Sequence, residues 1–167
     1  MALFDLQTGM SAKFKIDSEF VSIMHMELTA IAKAIAYIDS LEPKNYVILS
    51  DSKSALHHIL KCTTICRSAP IAYEIIKSIQ IIQSTGKVLK LQWIPSHVGL
   101  PGNEEVDQLA NEACSDGITH SVLPYFSELF SLVKRRCTDR WKEYFGARSL
   151  SKGIWYKTIQ PSLPHTP

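Results

Sequence analysis

An α/β fold with a mixed sheet is predicted for this chain from three stretches with contrasting apolar spacing. Leu89, Leu91 and Trp93 alternate with polar residues, which is the period of a half-buried strand. The unbroken apolar run at residues 46–49 is typical of a strand that is covered on both faces. Residues 24–40 carry apolar side chains at helical spacing. Strands that alternate with helices in this way indicate parallel pairing within the sheet.

The remaining elements follow from turn and capping signals. Thr8-Gly9 predicts an antiparallel hairpin at the start of the chain. Pro43 closes off the first helix, and Asn103 is predicted to cap a later one. The full predicted order is a hairpin (1–16), a helix (24–40), a strand ending at Asp51, a short helix to about Leu60, a helix from Pro70 to Gly86, a strand (88–94), a helix (103–115) and a helix that begins at Pro124.

The composition is that of an ordinary globular protein. Of the 167 residues, 46% are hydrophobic and 20% are charged. No apolar run approaches the roughly 18 residues that cross a bilayer, and the first residues lack the pattern of a secretory signal. We therefore expect an intracellular protein, cytoplasmic or nuclear, without a membrane partner. The four cysteines are expected to be reduced thiols: Cys62, Cys66, Cys114 and Cys137.

The charges divide the chain into an acidic body, residues 1–116, and a basic tail, residues 117–167. Residues 131–157 contain eight basic and two acidic residues, a net charge of +6 in a chain whose total is +2. A basic amphipathic helix beside an acidic body is typical of a protein that binds phosphate groups with one part and metal with another. Lys134, Arg135 and Arg136 are the candidate nucleic-acid contacts. The alternative is a solvated helix that packs on the body.

Four residues in three separate stretches are candidates for a reaction centre. Glu27 lies early in the first helix, and Asp51 follows a buried strand at the end where ligands bind in open α/β sheets. His97 lies in a loop broken by glycine and proline, and Asp107 lies in the first turn of the next helix. Each residue alone is ordinary, because carboxylates commonly occupy first turns, helix caps and helix surfaces. Their order along the chain is the informative feature.

The last stretch is the most specific of the three, and its pattern is Ser96-His97-x-Gly99-x-x-Gly102-Asn103-x-x-x-Asp107-x-x-Ala110. With Glu27 at a helix start and Asp51-Ser52 at a strand end, this pattern resembles the ribonuclease H family (type 1). The likeness is closest to the ribonuclease H domain of arthropod non-LTR retrotransposon polyproteins, and it covers roughly residues 1–116. An integrase or transposase of related fold is less favoured, because the pattern around His97 specifically resembles ribonuclease H.

The resemblance implies a ribonuclease H-like three-layer fold and hydrolysis of the RNA strand of RNA–DNA hybrids. It implies that Glu27, Asp51 and Asp107 are catalytic, metal-binding carboxylates, and that His97 assists proton transfer or product departure. It also implies that Asn103 contacts the substrate. Two Mg²⁺ (or Mn²⁺) ions would be the cofactors, since a pair of cations can both activate water and stabilise a leaving oxygen. The chain would be part of a larger reverse-transcriptase polyprotein.

The sequence departs from the family in one respect. The family's metal site has four carboxylates, and the first lies in an Asp-Gly-Ser segment on the central strand of the sheet. No Asp-Gly-Ser occurs here, and neither Asp5 nor Asp17 matches that position. We therefore expect the first, central strand to be lacking and the activity to be impaired. A non-catalytic remnant of a retrotransposon that only binds nucleic acid is the alternative function.

Overall fold

The computed structural model describes residues 1–63, 69–159 and 161, and this part of the chain contains five strands and six helices. The strands are β1 (Ala2–Phe4), β2 (Ser11–Ile16), β3 (Asn45–Ser50), β4 (Val88–Trp93) and β5 (Ile118–His120). The helices are α1 (Ile23–Asp39), α2 (Lys53–Cys62), α3 (Pro70–Ser84), α4 (Pro101–Asp116), α5 (Phe126–Ser149) and α6 (Ile154–Ile159). The predicted α/β fold with mixed pairing is confirmed. Cys66 lies outside the described residues.

The strands form two separate sheets. In the first, of order β1-β2-β5, β1 pairs antiparallel with β2 as the predicted hairpin, and β2 pairs parallel with β5. In the second, β3 and β4 run parallel, with Asn45 opposite Val88 and Ser50 opposite Trp93. One mixed sheet was expected. Instead, within the described residues, β1 and β3 each pair on one side only.

The main core lies between α1, α2, α3 and one face of the β3–β4 sheet. Its buried residues are Leu28, Ile31, Ile35, Ile38, Ala55, Ile59, Ile75, Ile82 and Leu89. Lys87 is buried at the edge of this core, and its ammonium group donates to the carbonyls of Ile38 (3.1 Å) and Asp39 (2.5 Å). The Ile38 carbonyl also accepts the backbone N–H of Leu41 at 3.1 Å, so Lys87 adds a second donor there. At this end of α1 the helix dipole also favours a positive charge.

The run at residues 46–49 is not covered on both faces, so that prediction was wrong. Tyr46 and Ile48 face the core, whereas 53% of Val47 and 45% of Leu49 are exposed. The reason is that α1, α2 and α3 all pack on the same face of this sheet. An unbroken apolar run therefore marks a strand here without showing how many of its faces are covered.

The chain, in which a body of residues 1–116 and a tail of residues 117–167 are predicted, divides into two compact units. The first compact unit runs from Met1 to Pro124, because β5 continues the chain beyond α4 and pairs with β2. The second unit, Tyr125–Pro167, contains α5 and α6. No helix in the described part of the chain combines the length and the apolar character needed to cross a membrane.

Candidate active site

Three carboxylates from different parts of the first unit lie in one region. Glu27 projects from α1, Asp51 directly follows β3, and Asp107 lies on α4. Burial is the largest cause that raises the pKa of Glu27, and the negative charges of Asp51 and Asp107 raise it further, while the ammonium group of Met1 opposes them. Because like charges shift a pKa only at short range, this mutual effect indicates a shared acidic region.

The backbone of Asp51 is held in place by two hydrogen bonds to its carbonyl oxygen. The backbone N–H of Lys53 donates to it at 2.8 Å, and the indole Nε1 of Trp93 donates at 3.1 Å. The first bond closes the turn into α2, and the second ties the end of β3 to the end of β4. The backbone from which the Asp51 carboxylate projects is therefore held by both neighbouring elements.

His97 lies in the loop between β4 and α4, on the side of the acidic region that faces solvent. Its side chain is 77% exposed, and its Nδ1 lies 3.6 Å from Oδ2 of Asp107, which is longer than a hydrogen bond. The backbone of His97 is left-handed (φ 55°), as is that of Gly99 (φ 75°). Both residues thus adopt a backbone conformation that residues other than glycine seldom adopt.

The start of α4 differs from its predicted start, and the difference changes the environment of Asn103. Pro101 occupies the first helical position and Leu100 the cap, so Asn103 lies inside the first turn and does not cap the helix. Proline suits that first position because its missing N–H would have no partner there. Gly102 allows a close approach, since a β-carbon at this position would lie 2.6 Å from Cδ2 of Leu6.

Two buried polar atoms on α4 have no hydrogen-bond partner among the described residues. They are Nδ2 of Asn103 and Oδ2 of Asp107, which lie four residues apart and therefore on the same side of the helix. Leaving a buried polar atom unsatisfied costs about 1–3 kcal/mol, so such atoms commonly serve a ligand. The oxygen of Asp107, which lies 3.6 Å from Nδ1 of His97 and in the same acidic region as Glu27, is of the kind that a hard divalent cation prefers.

The carboxylates do not form a closed metal cage in this structure. Within the described part of the chain, no three Asp, Glu, His or Cys side chains lie close enough together to hold one ion.

The other acidic residues near the hairpin are engaged elsewhere. Oδ1 of Asp5 accepts the backbone N–H of Gln7 (2.9 Å), and its Oδ2 accepts the hydroxyls of Thr8 (2.8 Å) and Tyr37 (3.0 Å). These hydrogen bonds, the one from Gln7 first, lower the pKa of Asp5. Asp17 is exposed in the loop before α1. Asp5 therefore stabilises the hairpin turn, and Asp17 is hydrated by solvent.

The basic candidates lie in the second unit. Lys134, Arg135 and Arg136 are exposed on α5. Sequence reasoning did not single out Lys53 near Asp51, and it treated Trp93 only as a strand residue. The hydrogen bond from Trp93 to the Asp51 carbonyl joins residues 42 positions apart, which no spacing rule reveals, whereas Lys53 lies only two residues from Asp51.

The sequence also matches a family model. The model is described as RNase H, and it matches residues 4–115, which is more than half of the chain. The match covers Glu27, Asp51, His97, Asn103 and Asp107. With strands and helices in the order described above and carboxylates drawn from three of them, this chain belongs to the RNase H family.

Proposed function

We propose that this chain hydrolyses the RNA strand of RNA–DNA hybrids endonucleolytically, with Glu27, Asp51 and Asp107 as the residues that hold divalent metal. The observation that carries the proposal is the shared acidic region. There burial, with the negative charges of Asp51 and Asp107, raises the pKa of Glu27, and Oδ2 of Asp107 is buried without a hydrogen-bond partner among the described residues. Membership of the RNase H family supplies the reaction class and makes a purely binding remnant the less favoured function.

Each residue has a distinct task in this proposal. The three carboxylates bind the metal, and Asn103 contacts the substrate with the side-chain amide that has no partner among the described residues. His97 accepts or donates a proton, for which its exposure and its place beside Asp107 are suited. When bound, Mg²⁺ or Mn²⁺ supplies the charge that activates water and stabilises the leaving oxygen. Hybrids differ from duplex DNA in groove shape and in their 2′-hydroxyls, which provides the basis for selectivity.

We further propose that a strand bearing a fourth carboxylate belongs between β1 and β3. Two observations support this: the sheet is divided in two, and β1 and β3 have one unpaired side each among the described residues. Three carboxylates hold cations more weakly than four, because the charge of the ligands sets much of the affinity. Residues 1–167 alone should therefore be poor catalysts, and a chain extended at its amino terminus by a strand ending in Asp-Gly-Ser (the extended chain) should be active.

The test compares both chains on a labelled hybrid, single-stranded RNA and duplex DNA, in millimolar Mg²⁺ or Mn²⁺. We expect cleavage of the hybrid by the extended chain, little or none by residues 1–167, and none by the extended chain that carries Asp51→Asn. Robust turnover by residues 1–167 that Asp51→Asn abolishes would show that three carboxylates suffice. Equal degradation of single-stranded RNA and hybrid would overturn the proposed selectivity.

A further inference from the structure

Beside the acidic region, an exposed lysine and an exposed tryptophan form a pair that the proposed reaction has not used. The ammonium group of Lys53 lies 5.6 Å from the centroid of the Trp93 ring, within the range of a cation–π contact. Trp93 is 43% exposed, and Lys53 is exposed at the first residue of α2. The pair therefore presents a positive charge to solvent two residues from Asp51.

The Trp93 ring is fixed in position by the backbone of Asp51. Its Nε1 donates to the Asp51 carbonyl, and the N–H of Lys53 donates to the same oxygen. A single carbonyl thus links the ring and the start of α2 to the backbone of Asp51. As a result, the ammonium group over the ring has a defined place relative to this backbone, whereas a free lysine samples many rotamers.

The contact with the ring leaves the charge of Lys53 available. No ion pair of Lys53 with a carboxylate occurs within the described residues. A cation–π contact at an exposed site stabilises by about 0.5–1 kcal/mol, which is weak enough for a phosphate to compete for the ammonium group. A lysine near several carboxylates commonly forms an ion pair with one of them, and Lys53 does not do so within the described residues.

We propose that Lys53 binds a backbone phosphate of the strand cut at this site, next to the scissile one, and that Trp93 positions Lys53 for this contact. The inference rests on the proposed function, because it requires that a phosphodiester strand reaches Asp51. The ligand is a nucleic-acid phosphate, and the contact is independent of base sequence.

The test is a salt titration of hybrid binding with the whole chain. Fluorescence anisotropy of a labelled hybrid is measured in millimolar Mg²⁺ at several salt concentrations, in the Asp51→Asn background so that the hybrid stays intact. Lys53→Gln should weaken binding and reduce the slope of log K against log salt by about 1, the value for removing a single phosphate-binding cation. Lys53→Arg should retain the slope. Lys77→Gln, the same charge change on an exposed residue of α3, should also leave it unchanged.

Trp93 is tested through its effect on Lys53. Trp93→Leu should weaken binding when Lys53 is present but not in the Lys53→Gln variant. Trp93→Phe, which keeps a ring but loses the N–H that donates to the Asp51 carbonyl, should weaken binding less than Trp93→Leu does. Should Trp93→Leu fail to fold, as seen by its thermal melt, the Lys53 variants still decide the question.

The outcomes separate the two proposals. An unchanged slope for Lys53→Gln, or an equal decrease for Lys53→Gln and Lys77→Gln, would overturn the role of Lys53 and leave hybrid hydrolysis standing. Absence of hybrid binding by the background chain and by the extended chain would overturn the proposed function and this inference with it.

Discussion

At the scale of single residues, the ionised side chain of Glu27 in the candidate site lowers the stability of the folded chain. Burial and the negative charges of Asp51 and Asp107 raise its pKa above the usual 4.5. Ionising Glu27 is therefore more costly in the folded chain than in the unfolded one. A group placed in this way is typical of a site that is completed by a ligand.

Glu27→Gln should therefore stabilise the metal-free chain while it removes activity. Because the folded pKa is raised above 4.5, the penalty is absent below pH 4.5, grows as the pH rises toward the folded pKa, and is fully present above that pKa. We expect the variant to melt a few degrees above the parent at pH 7, with the difference fading as the pH falls toward 4.5. Thermal melts across this range check the prediction.

The exposed Glu19→Gln serves as the matched control and should show no such pH-dependent difference. Millimolar Mg²⁺ should raise the melting temperature of the parent more than that of Glu27→Gln, because the metal relieves the repulsion. A parent that remains more stable than Glu27→Gln at neutral pH without metal would contradict the acidic-region argument.

His97 is expected to speed the reaction without being indispensable. A positioned proton carrier contributes typically about 10²–10⁴-fold, and solvent can partly replace an exposed one. In the extended chain, His97→Ala should slow hybrid cleavage by no more than this factor and leave hybrid binding intact. Single-turnover kinetics measure the decrease, with His57→Ala, an exposed histidine on α2, as the control. Abolition of cleavage equal to that by Asp51→Asn would mean that His97 does more than carry a proton.

At the scale of elements, α5 is unlike the other long helices because it has few buried side chains. Large apolar residues on it are exposed, including Phe126 (80%), Trp141 (54%) and Tyr144 (51%). Trp141 stacks on Tyr144 at 5.6 Å, and Arg148 lies over the Tyr144 ring, so aromatic and basic groups are interleaved along the helix. This arrangement suits stacking on bases and contact with phosphates.

We propose that the basic residues of α5 contribute to nucleic-acid binding independently of catalysis. Replacing Lys134, Arg135 and Arg136 together by Gln should reduce the salt slope of hybrid binding, by about 1 for each of these side chains that binds a phosphate. Binding is titrated at two or more salt concentrations in the Asp51→Asn background. The control replaces Lys44, Lys77 and Lys90 of the first unit by Gln, which changes the net charge equally. If both triple variants bind with the parental slope, the basic residues of α5 serve solvation or packing alone.

At the scale of the whole molecule, the division of the sheet has consequences for solution behaviour. Strands with an unpaired side carry free N–H and C=O groups that invite pairing with other chains. The β3–β4 sheet also exposes Val47, Leu49 and Val88 on the face away from its core. We therefore expect residues 1–167 to be marginally stable and prone to aggregate, as apolar surface and open edges act together.

Substitutions on the two faces of β3 separate aggregation from folding. Val47→Thr with Leu49→Thr should lower concentration-dependent light scattering with little change in the melting temperature, because both side chains are exposed. Ile48→Thr, on the core-facing side of the same strand, should destabilise the fold by about 1–3 kcal/mol, since it places a hydroxyl in an apolar environment. Light scattering and chemical denaturation are the measurements. A monodisperse, stable parent chain would show that the open edges are harmless.

Much of the fold was predictable because its signals are local. The spacing of Leu28, Ile31 and Ile35 defines a helical face, the turn at Thr8-Gly9 defines a hairpin, and each lies within the few residues whose geometry it determines. The bounds of α1, α3 and β4 accordingly lie close to the predicted ones. The predicted site residues Glu27, Asp51 and Asp107 come from such local patterns, and their roles remain a proposal.

Tertiary structure decided the features that depend on contacts between elements distant along the chain. The exposure of Val47 and Leu49 depends on α1, α2 and α3 packing on one face of β3, and the three-residue strand β5 exists because it meets β2. The link from Trp93 to the Asp51 carbonyl spans 42 residues, and the unpaired atoms of Asn103 and Asp107 are defined by what surrounds them. The sequence by itself thus determined the order of elements and the chemical types available, since periodicity is local. Burial, pairing and mutual charge effects needed the fold, because they are properties of neighbours that are distant along the chain.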